Sequence, residues 1–169
     1  MRYWYDTEFY EDGSTIDLIS IGIVSEDRRG LYLENKDFDW SRVPQDHWLW
    51  ENVYPHLTFE EDILIPKFKI ADAVRWYITD NGWSYNNELW GYYSSYDHVV
   101  LAQLFGRMVD MPEGVPWFTR DIKQEYERLK IKYPKLVLPA QESTEHHALN
   151  DALWTKKAWT VLKEVENLG

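Results

Sequence analysis

The N-terminus carries two acids at the end of an apolar segment. Tyr3-Trp4-Tyr5 leads directly into Asp6-Thr7-Glu8-Phe9, and such aromatic residues favour a buried β-strand. Residues two apart in a strand point to the same face, about 7 Å from each other, so Asp6 and Glu8 project together. Neighbouring carboxylates repel unless one is protonated or a cation lies between them. The segment therefore predicts either a solvated strand end or half of a divalent-cation site.

Two further acids stand just before apolar helix stripes. The stripes have spacings of three and four residues, typical of a core-facing helix side, and they are Leu101-Leu104-Met108 and Trp154-Ala158-Val161-Val165. Asp97 lies four residues before the first stripe, and Asp151 lies three residues before the second. Each acid is thus predicted on the face that packs against the sheet, although a helix N-cap or first-turn acid would explain either one singly.

The four acids together indicate a metal site. Asp6, Glu8, Asp97 and Asp151 would bring much negative charge into the interior, which a purely structural protein has little reason to do. Two Mg²⁺ or Mn²⁺ ions about 3.5–4 Å apart would balance that charge and would hold the attacking and leaving oxygens of a phosphoryl displacement. The sequence therefore predicts a two-metal site formed by a strand and two helices.

The order of predicted elements indicates an α/β fold. After the opening strand, two more strands at residues 15–24 and 31–33 form an antiparallel meander with it. Residues 37–64 have poor periodicity, which predicts an irregular segment that covers the sheet and contains a short helix near residues 44–50. Helices and strands then alternate: helix 66–78, strand 88–92, helix 98–108, strand 116–119, helix 122–130 and helix 147–166. This order predicts a mixed five-stranded sheet flanked by helices.

Length and composition set the outer bounds. The 169 residues with 44% hydrophobic content fit a single domain, 1–169, with a sizeable core. Cysteine is absent, so thiolate metal sites and disulfides are excluded. No apolar run approaches the ~20 residues of a membrane span, and the N-terminus opens into the fold without a signal peptide. We therefore expect a cytoplasmic protein that does not bind membranes.

The charge disfavours extended nucleic-acid binding. The chain has 18 basic and 29 acidic residues, a formal net charge of −11, whereas proteins that wrap long duplexes are basic. An enzyme that holds a few nucleotides at a metal-filled site is still compatible with this charge, because bound cations invert the local field.

Three short motifs carry a family resemblance. Asp6-x-Glu8, Tyr96-Asp97 and His146-x-Ala148-Leu149-x-Asp151 resemble the three exonuclease motifs of the DEDDh 3′-to-5′ exonucleases, in the same order and across nearly the whole chain. The third motif is the most specific. The small size and the Asp-Thr-Glu-Phe opening further resemble the small bacterial polyadenylate-specific 3′-exoribonucleases of the AS type. The chain departs from the usual second motif, where Tyr93 and Ser94 replace the common Asn and Ala.

The resemblance implies an RNase H-like fold and a 3′-to-5′ exoribonuclease that releases 5′-nucleoside monophosphates from single-stranded or short 3′-tailed RNA, with an adenylate preference. It further implies that Asp6, Glu8 and Asp151 bind the first of two Mg²⁺ or Mn²⁺ ions. Asp6 would bridge to the second ion, which Asp97 helps to hold. A metal-activated water would be the nucleophile and His146 the general base. By analogy with the superfamily we also expect a homodimer.

The identity of the general base is open on spacing alone. His147 lies four residues before Asp151 and would share its helix face, while the family motif selects His146. A general base need not lie on the helix, so a loop position for His146 would let its side chain reach the metals.

Substrate contacts and rival functions complete the predictions. Thr7, Phe9 and Arg120 are the candidate substrate contacts, although Phe9 is equally suited to the core and Arg120 to a surface ion pair. A 3′-to-5′ DNA exonuclease is the nearest rival. A second rival is a non-catalytic adaptor that uses its ten tryptophans as a partner surface and its acids as a structural cation site.

Overall fold

The computed structural model describes residues 1–27, 30–80, 86–141 and 145–167. Its centre is a six-stranded mixed sheet. In chain order the strands are β1 (Arg2–Glu11), β2 (Ile16–Ser25), β3 (Leu31–Asn35), β4 (Leu64–Ile65), β5 (Glu88–Gly91) and β6 (Thr119–Asp121). Their spatial order is β4-β3-β2-β1-β5-β6, in which β1, β2 and β3 pair antiparallel and the other three pairings are parallel.

Helices cover both faces of this sheet. They are α1 (His47–Asn52), α2 (Lys67–Thr79), α3 (Ser95–Leu104), α4 (Ile122–Lys132) and α5 (Ala148–Asn167), with three short 3₁₀ segments at Trp40–Gln45, Tyr54–His56 and Met108–Asp110. Among the described residues, no helix combines the length and the apolar character that crossing a bilayer requires.

The alternation of β1 sends its side chains into two different cores. Tyr3 and Tyr5 are fully buried on the face that packs against α2 and α3. Trp4, between them, is buried on the opposite face, where it joins Trp154 of α5 and Ile122 of α4. Because strand residues alternate between faces, Asp6 and Glu8 continue the Trp4 side, toward α5.

The fold prediction is confirmed: the protein has an α/β fold, in which helices flank a mixed sheet. One strand was missed, because β4 has only two residues, too few to show an alternating pattern. The last predicted strand begins at Thr119 instead of residue 116. Pro116 has no N–H to donate to a ladder, and Trp117 and Phe118 are exposed. Helix α3 also starts three residues earlier than predicted, so Asp97 lies inside its first turn.

Candidate active site

The two acids of β1 lie directly beneath the start of α5. Asp6 is paired with Gly22 of β2 and Glu8 with Ser20. A Cβ atom at Gly22 would overlap the backbone of Ala148 and Leu149, so only glycine allows the first turn of α5 to rest on the sheet at this point. This close approach brings Asp151, the fourth residue of α5, to the β1 acids.

A β-bulge follows the acids immediately. Glu8 faces Ser20 but Phe9 faces Leu18, so one extra residue, Ile19, is accommodated on β2. Bulges bend a strand and increase its twist, and they are frequent next to active sites. Here the bulge lies directly after Glu8, at the boundary between the Asp6-Thr7-Glu8 segment and the last three residues of β1.

The backbone conformation of His146 and a backbone hydrogen bond place this residue beside the acids. Its φ is 68°, a left-handed conformation that is uncommon for residues other than glycine, and its N–H donates to Oδ2 of Asp151 at 2.7 Å. One potential ligand atom each from Glu8, His146 and Asp151 lie within 4.8 Å of one another. The His146 ring also meets the Trp48 ring edge-on, with centroids 4.9 Å apart.

His147 faces a different environment. Its ring stacks on Tyr32 of β3, with centroids 4.2 Å apart and planes 24° apart, and burial lowers its pKa. His147 does not line the acidic cleft, in contrast to His146. Of the two alternatives that spacing left open, the geometry therefore favours His146.

Asp97 joins the site from the other side of the sheet. Its Oδ1 accepts two hydrogen bonds from Thr7, one from the backbone N–H at 2.9 Å and one from the hydroxyl at 2.6 Å. Both residues are buried. The contact links the first turn of α3 to the middle of the Asp6-Thr7-Glu8 segment.

These elements enclose a cleft of about 530 Å³. Besides the four predicted acids and His146, its wall includes three further acids and several aromatic rings: Glu11, Asp46, Glu145, Phe9, Trp48, Tyr92, Tyr93 and Trp154. Among the residues that the structure describes, no lysine or arginine lines this cleft. The negative charge is therefore not balanced by protein side chains there.

This environment raises the pKa values of the clustered acids. Burial, followed by the charges of Asp97, Glu8 and Asp151, raises the pKa of Asp6 well above its usual value. Burial and the Asp151 charge do the same to the pKa of Glu8. Burial raises the pKa of Asp97 to about 6, although the two Thr7 hydrogen bonds oppose the shift. Such a cluster is unfavourable in its ionised form unless cations bind to it.

Asp151 accepts hydrogen bonds on both of its carboxylate oxygens. Burial raises its pKa, while hydrogen bonds from the Gln141 side chain and the His146 N–H oppose that rise. Gln141 Nε2 lies 3.3 Å from Asp151 Oδ1. No sequence pattern pointed to Gln141, because this residue stands in an aperiodic segment.

The three candidate substrate contacts are not equivalent. Thr7 and Phe9 line the cleft, and the Phe9 ring also packs against Tyr96 at a centroid distance of 5.9 Å. Arg120 is not brought to the cleft: its guanidinium pairs with Glu88 at 3.4 Å, in a separate surface depression. Arg120 therefore forms a surface ion pair, which was the alternative to phosphate binding.

The unusual second motif has two different roles. Ser94 is buried, and its N–H and hydroxyl donate to Oδ2 of Asp121 at 2.8 and 3.3 Å. This contact ties the start of α3 to the end of β6. Tyr93 instead has a left-handed φ of 55° and an exposed ring at the cleft. Trp48, a further cleft residue that the sequence did not single out, stands in the segment of poor periodicity.

Comparisons with known proteins agree with this architecture. The family model of the 3′-5′ exoribonuclease Rv2179c-like domain matches residues 1–163. Two proteins of Mycobacterium tuberculosis are each 36% identical over 174 residues, which covers 100% of this chain and 97% of theirs. They are 3′-5′ exoribonuclease Rv2179c of strain ATCC 25618 / H37Rv and 3′-5′ exoribonuclease MT2234.1 of strain CDC 1551 / Oshkosh.

Solved structures show the same fold at low identity. The RNase domain of the yeast Pop2 protein has a TM-score of 0.68 at 12% identity, over 97% of this chain and 77% of that chain. A chain in the structure of the yeast NOT1 MIF4G domain co-crystallised with CAF1 has a TM-score of 0.63 at 13% identity, over 98% of this chain and 80% of that chain. These neighbours confirm the RNase H-like prediction.

Proposed function

The chain belongs to the 3′-5′ exoribonuclease Rv2179c-like domain family, and from this premise we propose that it is a metal-dependent 3′-to-5′ exoribonuclease of the DEDDh type. It removes 5′-nucleoside monophosphates from the 3′ end of single-stranded or short 3′-tailed RNA. The observation that carries the proposal is the convergence of Glu8, His146 and Asp151 beside Asp6 and Asp97 in one cleft.

The donor chemistry fits a pair of Mg²⁺ or Mn²⁺ ions. Four carboxylates supply hard oxygen ligands, their pKa values are raised, and the described cleft wall has no cationic side chain. In our proposal Asp6, Glu8 and Asp151 hold one ion, and Asp6 with Asp97 hold the other. When bound, two such ions stabilise the attacking and leaving oxygens of a phosphoryl displacement. A solved Pop2p structure from S. pombe is described as Mg²⁺ and Mn²⁺ bound.

His146 is assigned to proton transfer instead of metal binding. Mg²⁺ prefers oxygen ligands, whereas an imidazole is suited to accept a proton near neutral pH. In the reaction, water attacks the terminal phosphorus and the bond from phosphorus to the 3′ oxygen of the preceding nucleotide breaks. His146 accepts the proton that the water loses, and the departing 3′ oxygen takes up a proton. The backbone bond to Asp151 keeps the ring at the correct side of the cleft.

The cleft aromatics are our candidates for contacts with the terminal base. Phe9, Trp48 and Tyr93 line the cleft, and Trp48 and Tyr93 are more than half exposed, at 51% and 62%. Base stacking on such rings tolerates any base, so an adenylate preference requires edge contacts in addition. We propose this preference on the resemblance to AS-type enzymes, and matched oligo(A), oligo(U) and oligo(C) substrates test it.

The decisive experiment uses a 5′-labelled single-stranded RNA with Mg²⁺ or Mn²⁺. Wild type should produce a ladder that shortens from the 3′ end and release 5′-nucleoside monophosphates, which mass spectrometry identifies. Asp151→Asn should abolish the ladder. Asp72→Asn, on the exposed side of α2 beside Arg75, is the matched control and should retain full activity.

Other outcomes would redirect the assignment. Faster degradation of a matched DNA oligomer would favour a DNA exonuclease. If wild type degraded neither polymer with either ion, the proposal would be wrong and an aromatic-rich adaptor would become the better reading. We also propose a cytoplasmic homodimer by family analogy alone, and light scattering of the purified protein tests the dimer.

A further inference from the structure

The contact between Thr7 and Asp97 has an unusual geometry. Two donors of one residue, the N–H at 2.9 Å and the hydroxyl at 2.6 Å, converge on the same oxygen, Oδ1 of Asp97. Thr7 is 4% exposed and Asp97 is 6% exposed, so water does not compete freely for these bonds. Neither Thr7 donor occupies Oδ2, and the carboxylate is oriented by the Oδ1 bonds.

The strand pairing explains why β1 can offer its backbone N–H. The pairing of β1 with β5 ends at Trp4 and Trp90, and the chain leaves the sheet after Gly91 to enter α3. The β1 edge beyond Trp4 is therefore open to α3 instead of a neighbouring strand. Thr7 lies three residues past Trp4, the last β1 residue that pairs with β5. Its backbone N–H, which has no partner among the described strands on this side, donates to Asp97 instead.

We infer that Thr7 is a positioning residue that makes Asp97 a one-oxygen metal ligand, by binding Oδ1 through both donors and directing Oδ2 into the cleft. The inference rests on the proposed function, because it concerns the ion that Asp6 and Asp97 would hold. The sequence predicts Thr7 as a substrate contact. The inference instead assigns its hydroxyl to Asp97.

The chemistry supports a role beyond packing. Hydrogen bonds to a carboxylate compensate its charge without neutralising it, and they fix the plane of the group. Without the hydroxyl, the Asp97 carboxylate would lose the shorter of its two bonds from Thr7 and could rotate more freely about its terminal torsion, which is soft. Outer partners of metal ligands typically change metal affinity by about 10–100-fold when they are removed.

The test compares Thr7→Val, which has nearly the same shape without the donor, with Thr7→Ser, which keeps the donor. Calorimetric titration of each protein with Mn²⁺ measures ion binding without substrate. We expect Thr7→Val to weaken one of the two binding events about tenfold or more, and Thr7→Ser to restore most of the affinity. The Mg²⁺ concentration for half-maximal RNA degradation should shift in the same direction, while KM for RNA at saturating Mg²⁺ stays constant.

A double variant separates positioning from other effects. In an Asp97→Asn background, Thr7→Val should cause no further loss of Mn²⁺ affinity, because the ligand it orients is already changed. Thr7→Ala, which cannot overpack the site, replaces Thr7→Val if circular dichroism shows that the valine variant does not fold.

Two results would overturn the inference while leaving the proposed function intact. One is an active wild type with the same Mn²⁺ affinities in wild type, Thr7→Val and Thr7→Ala. The other is a rise in KM for RNA at saturating Mg²⁺ with unchanged ion binding, which would make Thr7 a substrate contact. Failure of the proposed function is distinguished from both, because the wild type itself would then be inactive on RNA.

Discussion

The backbone N–H of His146 donates to Oδ2 of Asp151 at 2.7 Å, and His146 reaches this position through a left-handed φ of 68°. The proposed general base and a proposed metal ligand are therefore parts of one local structure at the start of α5. Because the bond uses the backbone, the imidazole ring remains free for chemistry. Substitution of the His146 side chain should leave the Asp151 carboxylate in place.

The first prediction follows from this separation. Asparagine tolerates left-handed φ better than most residues, so His146→Asn should fold and bind Mn²⁺ like wild type. It should nevertheless lose about 10²–10⁴-fold in kcat, the usual contribution of a general base. Single-turnover RNA degradation measures the loss, and calorimetry measures ion binding.

A second histidine gives the control for that experiment. His47 is on the surface beside Glu51, 3.3 Å away, with a side chain that is 85% exposed, so His47→Asn should keep wild-type kcat. Equal kcat values for His146→Asn and His47→Asn would contradict the assignment of the base.

The second prediction concerns the close contact between β2 and α5. Gly22→Ala places a Cβ against the backbone of Ala148 and Leu149, and backbone cannot move aside as a flexible side chain can. The first turn of α5 must then shift, which moves Asp151 and His146 away from the β1 acids. We expect a destabilisation of about 1–3 kcal/mol, typical of overpacking, and a loss of kcat of at least about tenfold, since small misplacements of catalytic groups are costly.

A second glycine that lies against the start of α5 supplies the matched comparison. At Gly30 the nearest atoms to an added Cβ belong to the side chain of Leu149, which can rotate, so Gly30→Ala should cost little stability and little activity. Thermal melts and RNA degradation rates of both variants test the difference. The idea fails if Gly22→Ala is as stable and as active as Gly30→Ala.

The sequence predicted those parts of the site that follow from regular periodicity. The two-residue repeat of a strand places Asp6 and Glu8 together, and the helical stripes place Asp97 and Asp151 on sheet-facing sides. The choice between His146 and His147 was beyond local spacing, because it depends on a left-handed residue and on a ring stack with Tyr32 from a distant strand.

Other parts of the site could not be predicted from local sequence either, because they depend on tertiary contacts. Arg120 was a reasonable phosphate-binding candidate until the structure showed that Glu88, on the neighbouring strand, is its partner. Gln141 and Trp48 lie in aperiodic segments, so no pattern pointed to them. The importance of Gly22 depends on which backbone passes over it, which is a property of the tertiary structure.

The third prediction is a pH-dependent stabilisation by Asp97→Asn in the absence of metal. Asparagine keeps an Oδ1 acceptor for both Thr7 donors but removes the buried charge. The pKa of Asp97 is raised to about 6 in the folded protein, against about 3.9 in an unfolded chain. Below about pH 4 the group is protonated in both states, so its charge costs nothing.

Between about pH 4 and pH 6 the unfolded state releases this proton and the folded state keeps it, so the wild type loses stability relative to Asp97→Asn as pH rises. Above about pH 6 the difference should level off at about 3 kcal/mol in favour of the variant. Urea unfolding at several pH values with EDTA measures the difference. A variant that is less stable than wild type at pH 7 would contradict the raised pKa of Asp97.

The fourth prediction is that divalent ions stabilise the wild-type protein. Ions that bind only the folded state add RT ln(1 + [ion]/Kd) to the free energy of unfolding, about 2.7 kcal/mol at a hundredfold excess over Kd. Because Asp6 is the proposed ligand of both ions, Asp6→Asn should lose most of this gain, while the remote Asp72→Asn should keep it. Thermal melts with EDTA and with millimolar Mg²⁺ measure the gain for each protein.

Salt screening must be separated from specific binding in that experiment. Any salt weakens repulsion among the cleft carboxylates, so the EDTA sample should contain NaCl at the same ionic strength as the Mg²⁺ sample. A gain that survives this matching, and that Asp6→Asn removes, requires ions bound among the acids. Equal melting temperatures in matched NaCl and Mg²⁺ would instead mean that the raised pKa values of Asp6 and Glu8 reflect protonated carboxyls, and that the cluster persists without a cation.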